Sequence, residues 1–363
     1  MLPLKGLTVV ALEQAVAAPF ATARLADAGA TVLKFERPGG DFARGYDDVA
    51  AGQSSYFVWL NRGKTSVLAD LATDDGMTRL REALATADVL VCNFRPGALG
   101  RLGFTDEVLA RDYPRLIACI ISGYGTDGPM ADRKAYDLLI QAESGLCSIT
   151  GGPSEPSRVG VSVVDIATGA TAHAAILEAL IARGITGRGA LIGVSMFDVM
   201  ADWLTVPLLN HEGGKSPRRV GLAHPSIAPY GVFTTKDDVQ ILISIQSERE
   251  WAALARDFLA DATLAKDPEL SNNVARVRHR DRCDALVAAA FAGRSADDAE
   301  AALALADIAF ARVNDMGGLS AHPHLRRITV ETVNGPVSYP APGARVKGAD
   351  RTYGPVPPLP TTE

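Results

Sequence analysis

The chain has 363 residues, 47% of them hydrophobic and 21% charged, so one or two globular domains are expected and bulk disorder is excluded. A formal net charge of -6 supplies no overall positive field, which argues against a general nucleic-acid binder. There is no run of about 18 apolar residues and no signal-peptide pattern at the start, so no membrane span and a cytoplasmic setting are expected. Cys92, Cys119, Cys147 and Cys283 form no CxxC pair and read as free thiols of a reducing compartment. The six histidines are too scattered for a zinc site, and no metal is expected.

In chain order, residues 7–12 form a short apolar run with three β-branched members and predict a buried strand. Residues 19–29 predict a helix with Pro19 in its first turn and Gly29 closing it, and 31–35 a second strand. Met77, Leu80 and Leu84 recur at helical spacing, and residues 88–93 and 116–122 are further strands. This rhythm predicts an α/β fold with a doubly wound parallel sheet, whose ligands bind beyond the strand carboxyl ends. Those ends are Glu13-Gln14, Glu36-Arg37, Asn93-Phe94 and Gly123-Tyr124. A long helix follows Asp165 and stops near Gly184, and residues 190–196 return to strand. Residues 210–229 are rich in Gly, Pro, Arg and His and read as a linker or an active-site loop. A smaller α+β unit follows, with a strand at 239–244 and helices at 248–258 and 282–291. From residue 321 the sequence is turn-rich.

The common nucleotide motifs are missing. No GxGxxG follows the first strand, where Gln14-Ala15-Val16-Ala17 stands instead, and there is no P-loop and no GxSxG elbow. What remains are cations at strand ends: Arg37, Arg62, Lys64, Arg95, Arg101, Arg133 and Lys134. Gathered on one rim they would suit a phosphorylated small ligand, with Phe94 or Tyr124 against a base; taken singly they are solvated surface charges. Asp165 stands between an apolar segment and the long helix. Two readings are open and compatible: an N-cap, or a carboxylate nucleophile kept ionised by the helix terminus. Gly169, one turn on, would admit a ligand.

These residues together resemble the family III CoA-transferases, the CaiB/BaiF family, from about residue 4 to 347. The matching pieces include Lys34-Phe35-Glu36-Arg37-Pro38-Gly39, Asn61-Arg62-Gly63-Lys64, Asn93-Phe94-Arg95-Pro96-Gly97, Tyr136-Asp137, Val164-Asp165 with Gly169, and Thr186-Gly187-Arg188-Gly189. The resemblance implies a large domain (1–208 and 316–363), a small domain (225–308), linkers at 209–224 and 309–315, and an interlinked homodimer. It implies that Asp165 attacks an acyl-CoA thioester and carries the acyl group and then CoA, the only cofactor being CoA itself as substrate. Gln14, Ala15 and Val16 would then line the CoA and acyl site, and Arg37, Lys64, Arg101 and Lys134 would hold phosphates or carboxylate. Asn93 and Phe94 would flank the nucleotide, with Tyr124 and Tyr136 nearby. A racemase on the same fold pairs this aspartate with a histidine. Here that place is Tyr136, a poor base near neutral pH. The glycine run of the formyl-CoA transferase branch is missing between His211 and Gln246. His224-Pro225-Ser226-Ile227-Ala228-Pro229-Tyr230 instead resembles branches acting on short dicarboxylic acids, with His224 and Arg218 reading the second carboxylate. A non-catalytic acyl-CoA-binding relative is the alternative from another class. Many members also continue into further helices where this sequence ends.

Overall fold

The computed structural model describes residues 2–348 and 351–360. Close packing divides the chain into two units. The first comprises the described residues of 1–147, 158–209 and 326–363. Its six-stranded sheet consists of β1 (Thr8–Leu12), β2 (Thr31–Glu36), β3 (Lys64–Leu68), β4 (Val89–Cys92), β5 (Ile117–Ser122) and β6 (Ala190–Ser195). All pairings are parallel, in the order β3-β2-β1-β4-β5-β6. The strand propensity of the four inner runs comes from burial on both faces. Val9 and Ala11 enter one core with Val89, Val91 and Cys119, while Val10 and Leu12 enter the opposite core with Leu90, Cys92 and Ala118.

Helices cover both faces. They are, in order, α1 (Ala17–Asp27), α2 (Ser55–Asn61), α3 (Asp74–Thr86), α4 (Ala98–Arg101), α5 (Asp106–Asp112), α6 (Asp137–Glu143), α7 (Leu146–Ile149) and α8 (Val163–Thr186). Residues of α1 and α8 share one core, and those of α3 and α5 the other. Glycine at 169 is required where α8 meets α1. A Cβ there would stand 2.4 Å from the Ala17 carbonyl oxygen and 2.9 Å from Phe20 Cβ. The expected ligand clearance is thus a helix crossing. By length and composition alone α8 would pass for a membrane span, against the expectation that none exists. Here one face, Val164, Ala167, Ala172 and Ile176, belongs to the core, while Ile181 and Ile185 are exposed.

Several elements went unanticipated. β3 is an edge strand with a mixed burial pattern, and α2 begins on a Ser54 cap with no strong apolar period. In the turn-rich tail, Arg327–Val330 and Val337–Pro340 pair as an antiparallel hairpin.

The second unit comprises residues 148–157 and 210–325. Its sheet joins β7 (Tyr230–Thr234), β8 (Gln240–Ser244) and β9 (Ala309–Arg312), all antiparallel. Residues 309–315, expected as a linker, therefore supply an edge strand. Three of its four residues are exposed, which hides it from an apolar-run search. The core includes Trp251, Phe258, Phe291, Ile241 and Ile243. Cys283 is buried there; Cys92 and Cys119 are buried in the first unit, and none of the four cysteines is bridged.

Candidate active site

The strand order reverses between β1 and β4, which opens a crevice at their carboxyl ends. A cavity of about 410 Å³ occupies that place. Every wall is a strand end or the segment after it: Glu13 and Gln14 from β1, Phe35 to Arg37 from β2, Ala69 to Ala72 from β3, and Phe94 and Arg101 beyond β4. Phe35, Leu71, Phe94 and Leu102 form its apolar wall. Arg37 and Arg101 are exposed at its rim, and neither forms an ion pair among the described residues. The Arg37 side chain only reaches the Gly40 carbonyl, at 3.4 Å. Two unpaired guanidinium groups beside an apolar slot can hold phosphates while the slot takes a base.

Asp165 lies in the first turn of α8. The helix is not capped by its own N-cap residue, Ser162, whose side chain makes no capping bond. Asp137 on α6 does that instead: its Oδ1 accepts from the backbone N–H of Val164 (2.8 Å) and Asp165 (3.2 Å). Gln141, one turn along α6, donates to Asp137 Oδ2 at 2.6 Å, and its Oε1 accepts from the Val159 N–H. The Asp165 carboxylate itself has no cation beside it among the described residues. Burial, and then the Asp137 carboxylate, push its pKa up to about 7. This reverses the expected lowering. A helix terminus is worth roughly 0.3–1 kcal/mol to an anion, and here Asp137 has already taken the helix N–H groups.

Lys64 requires a correction. It was expected to face phosphate, yet its side chain is 0% exposed. Its Nζ donates to Glu13 Oε1 (2.6 Å), Asn61 Oδ1 (3.1 Å) and the Pro19 carbonyl (3.2 Å). Burial lowers its pKa to about 8 against the pull of Glu13. Lys64 is thus internal structure beneath the crevice. Asn93 is also engaged: its Oδ1 accepts from the Gln14 N–H (2.9 Å) and its Nδ2 donates to the Gln14 carbonyl (2.8 Å). Its amide pins the Gln14 backbone. Ala15 has φ +62°, and buried Val16 starts α1, its carbonyl accepting from the Phe20 N–H.

Tyr124 and Lys134 line a separate cavity of about 340 Å³ with Arg133, Leu139 and Glu143. The Tyr124 hydroxyl and Arg133 both bond Glu143, at 2.6 and 2.7 Å. Lys134 is exposed and forms no ion pair among the described residues. Tyr136 is exposed immediately before α6. His224 belongs to the second unit, where it stacks on Tyr230 with ring centroids 5.2 Å apart and its Nδ1 accepts from the Ser226 N–H.

Two aromatic residues near Asp165 were not anticipated. Tyr46 packs edge-on against Tyr56 (5.6 Å), and the Tyr56 hydroxyl lies 3.5 Å from Ser162 Oγ. Burial, Asp41 and Asp165 push the Tyr46 pKa up to about 12, so it remains a hydroxyl donor. Tyr46 and Tyr56 carry no spacing signal in the sequence. Only the fold brings them to the start of α8.

Comparison with known proteins agrees with this geometry. Residues 4–362 match the family described as CoA-transferase family III. An acetyl-CoA:oxalate CoA-transferase of Acetobacter aceti is 40% identical over 283 residues, covering 77% of this chain and 72% of the relative. A succinate–glutarate CoA-transferase of Agrobacterium fabrum is 38% identical over 288 residues, with 77% and 72% covered. The crystal structure of a CaiB/BaiF family protein from Brucella suis has a TM-score of 0.83 at 36% identity, covering 98% of this chain and 96% of that one. The chain belongs to CoA-transferase family III, and it is a CoA-transferase.

Proposed function

We propose that this family III CoA-transferase moves CoA from an acyl-CoA thioester to a short dicarboxylic acid, with Asp165 as the covalent carrier. The observation that carries this reading is the half-buried, cation-free carboxylate at the start of α8. The relatives named above support the substrate class, since both transfer CoA between small carboxylic acids by name.

In the proposed sequence the Asp165 carboxylate attacks the thioester carbonyl. The C–S bond breaks, CoA thiolate leaves, and a mixed anhydride forms. The thiolate then attacks the Asp165 carbonyl, expelling the first acid as its carboxylate and leaving an aspartyl-CoA thioester. The acceptor carboxylate attacks that thioester and releases CoA thiolate again. The thiolate finally attacks the acceptor's acyl carbonyl, which yields the new acyl-CoA and frees Asp165. Each step exchanges one acyl bond for another, so the thioester's energy is kept and no nucleotide hydrolysis is required. Arg37 and Arg101 hold CoA phosphates, Phe94 lies on the nucleotide and Lys134 adds a further cation. The Gln14–Val16 backbone faces the acyl end, and the Tyr46 hydroxyl steadies the reacting oxygens. His224 and Arg218 are assigned, on sequence grounds, to the acceptor's second carboxylate. CoA is the substrate, and no other cofactor takes part.

We also propose a cytoplasmic homodimer. The exposed Trp203, Val206, Leu208 and Leu209 on two consecutive helices support self-association, which light scattering in solution tests.

The test of the chemistry is an acyl-CoA panel with candidate dicarboxylates in heavy water, read by mass spectrometry for wild type and Asp165→Ala. CoA passing to a new acid only with wild type supports the reading. Deuterium entering the α-carbon without CoA transfer would replace it with racemase chemistry. CoA binding without either would make the chain a non-catalytic relative.

A further inference from the structure

Below the crevice three carboxylates and three cations are packed together: Glu13, Glu36 and Asp41 with Lys34, Lys64 and Arg44. Most of these bonds close on one another. Lys64 and Thr22 serve Glu13, at 2.6 Å each, and Arg44 and Ser66 serve Glu36, at 2.7 and 2.6 Å. One member, itself buried, reaches beyond the cluster to loop backbone. Asp41 Oδ2 accepts from the fully buried Lys34 at 2.8 Å, which fixes the carboxylate plane. Its Oδ1 then accepts from the backbone N–H of Ala15 (3.3 Å) and of Ala43 (3.0 Å). The first of these residues is the strained one, with φ +62°, a region that alanine seldom enters. The second lies inside the turn Phe42–Gly45, which Asp41 caps and which leads directly to Tyr46. Asn93 clamps the neighbouring Gln14 from the other side by both its amide atoms. A non-glycine residue persists in such a conformation only where its surroundings over-determine it. Here three hydrogen bonds to Asp41 and Asn93 hold the Gln14–Ala15 backbone.

Resting on the transferase reading above, we propose that Asp41, oriented by Lys34, is a positioning residue. It holds Ala15 in the left-handed conformation and so sets the Gln14–Val16 backbone and the Tyr46 turn against the reacting acyl group. Asp41 is buried in the wall of the cavity assigned to CoA, and the effect proposed for it runs through Ala15 and Tyr46. A misdirected loop would leave CoA bound while the thioester carbonyl sits out of line, which lowers kcat more than affinity.

The experiment uses the full chain as Asp41→Asn, Lys34→Met, the double variant and Ala15→Gly. Ala15→Gly changes no charge and remains informative if the buried-charge variants fail to fold. Three readouts are taken: amide hydrogen exchange at Ala15, CoA affinity by calorimetry, and kcat with KM for the acyl-CoA. With Asp41→Asn, Ala15 is expected to exchange at least tenfold faster while the β4 and β5 amides are unchanged. The kcat should fall at least tenfold and CoA affinity shift less than threefold. The double variant should lose no more kcat than the worse single variant, because Lys34 acts through Asp41. Ala15→Gly should loosen exchange and lower kcat severalfold without lowering the melting temperature. Faster exchange with unchanged kcat would overturn the proposal, since the clamp would then be only structural. Unchanged exchange at Ala15 would overturn it too. If wild type moves no CoA in any pairing, the transferase reading fails by itself, while the exchange rates still decide whether Asp41 holds the loop.

Discussion

Replacing Asp165 by asparagine should make the protein more stable, and the gain should depend on pH. The carboxyl pKa rises from an ordinary 3.8 to about 7 in the fold, because burial and Asp137 both disfavour its charge. The folded state therefore holds a proton that the unfolded chain has lost between those two values. For an acid shifted upward, stability is fullest below the unfolded pKa and declines as pH climbs toward the folded pKa. The shift is about 3 units, and at about 1.36 kcal/mol per unit the full cost above pH 7 is roughly 4 kcal/mol. At pH 5 about 1.2 units of it, roughly 1.6 kcal/mol, have already accrued. The advantage of Asp165→Asn should thus grow by about 2–3 kcal/mol between pH 5 and pH 8 and then level off. Urea unfolding of both proteins at pH 5, 6, 7, 8 and 9 measures this. The asparagine loses no side-chain bond, since the Asp165 carboxylate makes none among the described residues. A gain that is the same at pH 5 and pH 8 would mean that Asp165 ionises normally, and the account of burial and Asp137 would be wrong.

Four further outcomes follow from the same geometry. The rate of acyl-adduct formation on Asp165, followed by mass spectrometry after rapid quench, should rise with pH and flatten above about 7. Asp137→Asn should move that midpoint down by about 1 unit, because Asp137 is the smaller of the two causes of the shift; a midpoint that stays put would rule out its electrostatic role. Lys64→Met leaves Glu13 with less compensation in a fully buried place and should cost about 3–5 kcal/mol in urea unfolding, with KM for acyl-CoA little changed; a KM increase instead would return Lys64 to the substrate. Arg37→Ala and Arg101→Ala should each raise KM for acyl-CoA about tenfold, the loss of one charge-assisted bond, leave kcat and melting temperature nearly unchanged, and weaken the salt dependence of binding; equal KM values would empty the cavity of its assigned phosphates.

The inner parallel strands were legible because they are buried on both faces and so read as unbroken apolar runs, as in Leu90-Val91-Cys92 and Ala118-Cys119-Ile120. β3, β9 and the tail hairpin were not, since each is an edge or two-stranded element with exposed residues. Charge misled in a different way. A sequence displays that Lys64 is cationic but not that Glu13 lies 2.6 Å from it, fifty-one residues away in the chain. The same holds for Asn93, whose partner is the Gln14 backbone seventy-nine residues away. Gly169 carried a correct signal with the wrong beneficiary: close approach was required, by Ala17 and Phe20 and not by a ligand. Arg37, Phe94 and Arg101 did reach one cavity because strand ends of a doubly wound sheet must share an edge.

The two readings of Asp165, cap and nucleophile, can now be separated by what its neighbours do. An aspartate that capped α8 would accept its N–H groups, but Asp137 performs that task from α6. Freed from capping, Asp165 meets a half-buried setting whose nearest charge is another carboxylate. Nothing in that arrangement favours its anion in the resting fold. On the proposed chemistry this is an advantage, because the anhydride and the aspartyl thioester are neutral at that atom. Burial and the Asp137 charge oppose the free carboxylate yet leave those acyl forms untouched, so the same effect that raises the pKa toward 7 favours acylation of Asp165. An ordinary surface aspartate, stabilised by water as an anion, would lack that driving force. The raised pKa also keeps roughly half of the carboxylate ionised at neutral pH, which is enough to supply the nucleophile.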